Sequence, residues 1–277
     1  MMKKVLSVQD ISCVGKCSLT VALPILSSVG IECQILPTSL LSNHTAFESF
    51  TFLDLTDECQ KIVNKFVENK FEFDCIYSGY LGSVKQIELM FDIIEKFSKN
   101  SKYIVIDPAM ADYGVLYPGF DQAFAKKMFE LCLKADVILP NITEACIMLD
   151  YPYKEKMNKE DVELLLNRFH ELNCKNVIIT GVSFEDNKLG FAYKNEIGEI
   201  SYYFNDFINA KYHGSGDIFA STFVGALMND KSMFESAKIA SYYVCESLKE
   251  TLSDPNCNWY GLNFEQTLPL LIEKIKQ

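Results

Sequence analysis

The chain predicts an α/β fold: a central, mostly parallel sheet flanked by helices on both faces, with a small antiparallel hairpin at one edge. Short apolar runs rich in β-branched residues alternate with amphipathic helical stretches for most of the length, the pattern of a parallel sheet covered by helices. The residues directly after those runs are small or polar, which suits the edge beyond the carboxyl ends of parallel strands, where ligands sit in such sheets. From Ser215 onward the pattern turns almost wholly helical. With 277 residues and no linker signal, one domain over 1–277 is expected.

Taken in order, strands are expected at 5–8, 33–36, 75–78, 103–106, 137–139 and 177–180. The first follows Met1-Met2-Lys3-Lys4, which lacks the apolar stretch and small-residue cleavage site of a secretory leader, so a cytoplasmic location is expected. Helices are expected over 18–29, with Ser18 as cap and Gly30 as stop, and over 57–69, 84–97, 121–134 and 159–172. The hairpin pairs 189–194 with 200–204, turning at Asn195 and Gly198. Three helices close the chain, at 215–228, 233–251 and 265–276.

Composition narrows the partners. Lys+Arg total 26 against Asp+Glu 37, a net charge of −11 that repels a polyanionic backbone and argues against nucleic acid. A small anion such as ATP can still be held by local dipoles and a metal. No apolar run is long enough to span a bilayer, so no membrane partner is expected. The ten cysteines are scattered, and Cys13-Val14-Gly15-Lys16-Cys17 has one residue too many for Cys-x-x-Cys, which points to buried, reduced thiols.

The most informative segment is Tyr212-His213-Gly214-Ser215-Gly216-Asp217. If Ser215 to Asp217 open a helix, their N–H groups and the positive end of the helix dipole converge on one spot, and the glycines let an oxyanion approach the backbone. Asp217, beside that positive field, stays ionised and could take a proton from a substrate hydroxyl as it attacks a phosphoryl group. A Gly-x-Gly-Asp stretch also occurs in plain turns that lead into helices, and these residues alone leave both readings open. The residues after the strands carry plain readings too. Asp107-Pro108 suits a turn, Asn141 a helix cap with Glu144 as its capping-box partner, and Gly79 and Gly82 tight turns.

Taken together, Leu6-Ser7-Val8-Gln9-Asp10, Leu41-Ser42-Asn43-His44-Thr45, Ser78-Gly79-Tyr80-Leu81-Gly82-Ser83, Asp107-Pro108-Ala109-Met110, Pro140-Asn141-Ile142-Thr143-Glu144 and Gly214-Ser215-Gly216-Asp217 form an ordered set across nearly the whole chain. This set resembles the pyridoxal kinases of the ribokinase-like superfamily, most closely the bacterial branch that acts on pyridoxamine and pyridoxal. The resemblance implies transfer of the γ-phosphoryl group of ATP, with Mg2+ and commonly K+, to the 5′-hydroxyl of pyridoxal, pyridoxamine or pyridoxine, in salvage of pyridoxal phosphate. It further implies Asp217 as the base, and Gly214, Ser215 and Gly216 as the anion hole. Asp107, Asn141 and Glu144 match positions near magnesium and the phosphates, Asp107 and Glu144 reaching the metal through water, and Thr180 matches a contact to ATP phosphate. Asp10, His44, Thr45 and Tyr80 match positions around the pyridine ring. A homodimer is also implied.

Two residues depart from the pattern: Asp10 stands where many pyridoxal kinases carry Ser, and His213 where some related kinases place a lid Cys. Structural readings stand beside the functional ones. His44 could satisfy backbone groups, Tyr80 could pack at the sheet edge, Phe47, Phe50 and Phe52 suit core or a dimer-facing flap, and Trp259 suits an anchor for the last helix. The competing functions are a hydroxymethylpyrimidine kinase and a non-catalytic B6-binding protein.

Overall fold

The computed structural model describes residues 2–210 and 212–277. In chain order its elements are β1 (Lys4–Val14), α1 (Leu19–Ser28), β2 (Glu32–Asn43), β3 (Phe52–Asp54), α2 (Thr56–Glu68), β4 (Cys75–Ser78), α3 (Val84–Phe97), β5 (Tyr103–Ile106), β6 (Ala111–Asp112), β7 (Val115–Leu116), α4 (Gln122–Cys132), β8 (Val137–Ile138), α5 (Ile142–Met148), α6 (Lys159–Glu171), β9 (Val177–Val182), β10 (Lys188–Lys194), β11 (Ile200–Asp206), α7 (Ser215–Met228), α8 (Met233–Ser253) and α9 (Phe264–Lys276). The architecture is α/β and mostly parallel: β1/β2, β5/β8 and β8/β9 pair parallel, whereas β10 runs antiparallel to both β9 and β11. The chain divides into two compact units, Met1–Tyr77 with Ile208–Gln277, and Ser78–Phe207.

In the first unit the strand order is β4-β1-β2-β3. β1 and β2 are far longer than the expected 5–8 and 33–36. They stay paired from Lys4↔Glu32 to Val14↔Asn43, with a bulge between Gln9 and Ile11, so the ladder itself carries polar residues that no apolar pattern would place in a strand. Asp10 is therefore inside β1 and not in a loop after it. The antiparallel edge strand β3 leaves Phe52 47% exposed, and Phe50 is also exposed, which corrects the expectation of core for these two. The interior of this unit is built on α7, whose residues from Ile218 to Met228 are all buried. An all-round apolar helix of this kind needs cover on every side, and α1 and α8 pack against it.

The second unit has the strand order β11-β10-β9-β8-β5. β5 and β8 are short, buried and β-branched, as strands covered on both faces are. The small β6–β7 hairpin was not foreseen from the sequence; at two residues per strand it has no pattern to read. Among the described residues no helix is long and apolar enough to cross a membrane.

Candidate active site

In the first unit the site begins on β1. Asp10 and Ser12, two apart, share one face of the strand, and Ser12 Oγ donates to Asp10 Oδ2 at 3.4 Å. The chain then turns through Gly15 to Ser18. Ser18 was expected to cap α1, but its side chain makes no cap bond; its backbone has φ 48°, and its hydroxyl bonds to Asp10 instead. Asp10 is only 5% exposed. Burial pushes its carboxyl above the ordinary range, opposed by the hydrogen bonds from Ser18 and Ser12 and by nearby His44. Cys17 sits beside this group. Burial raises its thiol far above the usual range, and the charges of Asp217 and Asp10 push it further, so it stays protonated.

His44 follows β2. Its Nε2 donates to the carbonyl of Tyr260 at 2.9 Å, and its Nδ1 accepts from the Ala46 N–H at 3.3 Å, an arrangement that places a hydrogen on Nε2. Both ring nitrogens thus serve the backbone, in line with the structural reading, and the ring offers its faces. Its centroid lies 4.9 Å from those of Phe47 and His213 and 6.0 Å from that of Trp259. Trp259 is 56% exposed and packs against Phe47 with the ring centroids 4.6 Å apart and the planes tilted by 54°, closing an aromatic cluster instead of anchoring α9 from the inside. Thr45 is exposed in the turn after His44.

The glycine segment does open a helix. Gly214 precedes α7 with φ 83°, and the first i→i−4 bond runs from Ile218 N–H to Gly214 C=O at 2.9 Å. The amides of Ser215 and Gly216 therefore lie outside the helix ladder at its positive end. A Cβ on Gly214 would sit 1.8 Å from the Lys16 carbonyl oxygen, whereas one on Gly216 would meet nothing within 4 Å. The first glycine is demanded by the fold; the second leaves open room over the helix start. Asp217 is half-buried in the first turn of α7.

In the second unit, Asp107 follows β5; its N–H donates to Ser78 C=O at 2.9 Å and its Oδ1 accepts from Ala109 N–H at 3.3 Å. Asn141 and Glu144 form a complete capping box at the start of α5, as the plain reading held. Glu144, 2% exposed, accepts the N–H groups of Met110 at 2.9 Å and Ala111 at 3.4 Å on Oε1 and that of Asn141 at 2.8 Å on Oε2. Asn141 Nδ2 donates to Ala111 C=O at 2.8 Å, so the β6–β7 hairpin is tied to the cap. Thr180 is brought alongside by a parallel bridge to Asn141, with its N–H on Pro140 C=O at 2.9 Å. Burial raises both Asp107 and Glu144, and the charge of Glu144 raises Asp107 further. The ring of Tyr80 lies 5.7 Å from that of Phe120.

The carboxylate pair suits hydrated magnesium. Glu144 is engaged by backbone on both oxygens, which suits contact with a cation through water, while Asp107 keeps part of its surface accessible. Among the described residues no group of three or more His, Cys, Asp or Glu forms a protein cage for a metal. Ser12 was not singled out from the sequence, and Ser18 and Cys17 were read there only as a helix cap and as one of the scattered thiols; small polar residues in a turn carry no signal of a site until the fold brings them onto Asp10.

Residues 32–257 match the family described as phosphomethylpyrimidine kinase. The chain belongs to that family. Among curated proteins it is 30% identical over 241 residues to the pyridoxal kinase of Dictyostelium discoideum, covering 80% of this chain and 77% of that one. Among solved structures it superposes on a Bacteroides thetaiotaomicron protein, provisionally described as a phosphomethylpyrimidine kinase and crystallised with pyridoxal. The TM-score is 0.92 at 38% identity, over 98% of this chain and 96% of that one. The pyridoxal kinase of Lactobacillus plantarum gives a TM-score of 0.92 at 28% identity, over 99% and 98%. These likenesses agree with the ribokinase-like α/β fold expected from the sequence.

Proposed function

We propose that the chain is an ATP-dependent kinase of B6 vitamers, acting on the 5′-hydroxyl of pyridoxal, pyridoxamine or pyridoxine. The observation that carries this reading is the start of α7, where a glycine required by its φ and its contact with Lys16 sets two backbone amides outside the ladder, one residue before a carboxylate. Kinship with a protein crystallised with pyridoxal and with two pyridoxal kinases supports the choice of substrate.

In this reading Asp217 accepts the proton of the 5′-hydroxyl as its oxygen attacks the γ-phosphorus of ATP, and the bond to the β,γ-bridging oxygen breaks. Gly214, Ser215 and Gly216 hold the negative charge that spreads over the transferring group. Magnesium would neutralise phosphate charge when bound, and Asp107 and Glu144 would hold it through water, with Asn141 shaping the turn and Thr180 donating to a phosphate oxygen. Asp10 and His44 would line the ring site, His44 by its face, with Thr45 and Tyr80 at its periphery. Each compact unit carries only part of this set, so 1–277 would act as one kinase domain, working as a cytoplasmic homodimer.

The test is a panel of the three vitamers and hydroxymethylpyrimidine with ATP and Mg2+, in K+ and in Na+, following ADP release. Turnover of vitamers above hydroxymethylpyrimidine supports the reading. Preference for the pyrimidine moves the chain to hydroxymethylpyrimidine kinase, and vitamer binding without ADP release makes it a B6-binding protein.

A further inference from the structure

Lys16 is held at three points, all within the first unit. Its carbonyl oxygen is the atom on which Gly214 rests, 1.8 Å from where a Cβ there would stand. Its stem lies on the backbone of Gly261, where a Cβ would come within 2.6 Å of Lys16 Cβ and 2.9 Å of Cγ. Its ammonium donates to Glu265 Oε2 at 2.8 Å and to Asn263 Oδ1 at 3.2 Å, and lies 5.9 Å from the centroid of the Phe264 ring. That tip sits at the start of α9, the positive pole of the helix, where the dipole alone repels a cation. Asn263 occupies the cap position there without capping: its Oδ1 accepts from the lysine, and its Nδ2 donates to Asp254 Oδ2 at 3.2 Å. A residue type well suited to hold its own helix is turned instead to Lys16.

The turn that carries Lys16 backs onto the start of α7. Besides the Lys16 carbonyl against Gly214, its next residue, Cys17, feels the charge of Asp217. Thr20 Oγ1 accepts from the Cys17 N–H at 3.3 Å and donates to the Cys17 carbonyl at 2.7 Å, bonds that shape the turn without fixing it to α7. We infer that Lys16 is a positioning residue for phosphoryl transfer: tied to the start of α9 by Glu265 and Asn263, it sets, through its own carbonyl, where Gly214 and the amides of Ser215 and Gly216 stand. The inference rests on the kinase reading above and deepens it. The ammonium is engaged at α9, so the lysine acts through the turn it carries and not as a charge on phosphate. In that reading the amides hold charge that grows in the transition state, so a displaced turn lowers kcat more than it weakens binding.

The experiment measures ADP release with ATP, Mg2+ and each of the three vitamers on variants of the full chain, with melting temperatures taken alongside. Lys16→Met keeps the stem and removes the charge. Glu265→Gln breaks the same tie from an exposed position on α9, where the core is not at stake. Gly261→Ala leaves every charge in place and presses on the stem, and Lys16→Arg is the conservative control. Lys16→Met, Glu265→Gln and Gly261→Ala should each lower kcat on the order of 10-fold, with the KM values for vitamer and ATP close to the parent's. Lys16→Arg should recover most of the loss, and Lys16→Met combined with Glu265→Gln should fall no further than the worse single variant, because one tie is broken once. Parent-like kcat in both Lys16→Met and Glu265→Gln overturns the inference, as do losses that add in the double variant or that only follow the melting temperature. A rise in the KM for ATP confined to Lys16→Met also overturns it, since the ammonium would then be a phosphate ligand. Each of these results leaves the kinase reading intact; a parent chain that releases no ADP with any vitamer overturns both.

Discussion

Gly214 rests against the carbonyl oxygen of Lys16 so closely that a methyl group there would lie 1.8 Å from it, at a backbone φ of 83°. The two glycines of the segment therefore do different work. Gly214→Ala should destabilise the protein by at least about 2 kcal/mol, since a left-handed residue and a backbone clash add together. Gly216→Ala should keep its melting temperature, because its Cβ meets nothing. If an anion sits over those amides, that same methyl lowers turnover. Thermal unfolding and ADP release measured on both variants check the pair; equal melting losses would refute the distinction.

Asp217→Asn should fold and bind ligands as the parent does, while turnover falls on the order of 10²–10⁴-fold, the usual contribution of a positioned proton acceptor. Near-normal turnover would remove Asp217 from the role of base.

The buried pair Asp107 and Glu144 makes a pH prediction with a definite sign. Both are raised, so the folded state holds protons that the unfolded chain releases above about pH 4. Where the folded state binds more protons, stability falls as pH rises. Melting temperature should therefore decline from pH 5 towards neutrality and beyond more steeply in the parent than in Asp107→Asn. Magnesium competes with the same protons, so its stabilising effect on the parent should grow over that range. A stabilisation that is flat in pH would count against metal at this pair.

Ser18 reverses a familiar order. Its φ of 48° is costly for any side chain, so Ser18→Gly should be more stable than Ser18→Ala by about 1 kcal/mol or more, although alanine is normally the better tolerated residue. Urea unfolding of the two variants decides it, and a more stable alanine variant would mean that the turn relaxes without cost.

Much of the fold was legible because its signals are local. The strand at 75–78, the strand at 103–106 and the helix at 84–97 fall at the expected bounds, each being a short apolar or amphipathic run with clear stops. The outer halves of β1 and β2 were not legible, since Gln9 and Ser12 stay extended through the pairing of the two strands, with Asp10, Thr38 and Ser39 at the bulge within it, and not through any pattern of their own. The Asn141–Glu144 capping box was readable from spacing alone, whereas the use of Glu144 to hold Met110 and Ala111 depends on a hairpin more than thirty residues upstream.

By itself the order of residues determined the α/β class and the glycine-led entry to α7, because helix periodicity, strand alternation and the steric freedom of glycine act over a few neighbours. It also marked Asp10 as a departure. Only the tertiary structure decided what surrounds that carboxylate, the hydrogen on Nε2 of His44 by way of Tyr260 far along the chain, and the rise of Asp107 and Glu144. Burial, hydrogen-bond partners and charge are properties of groups brought together in space, and none of them is written in the spacing of a single chain.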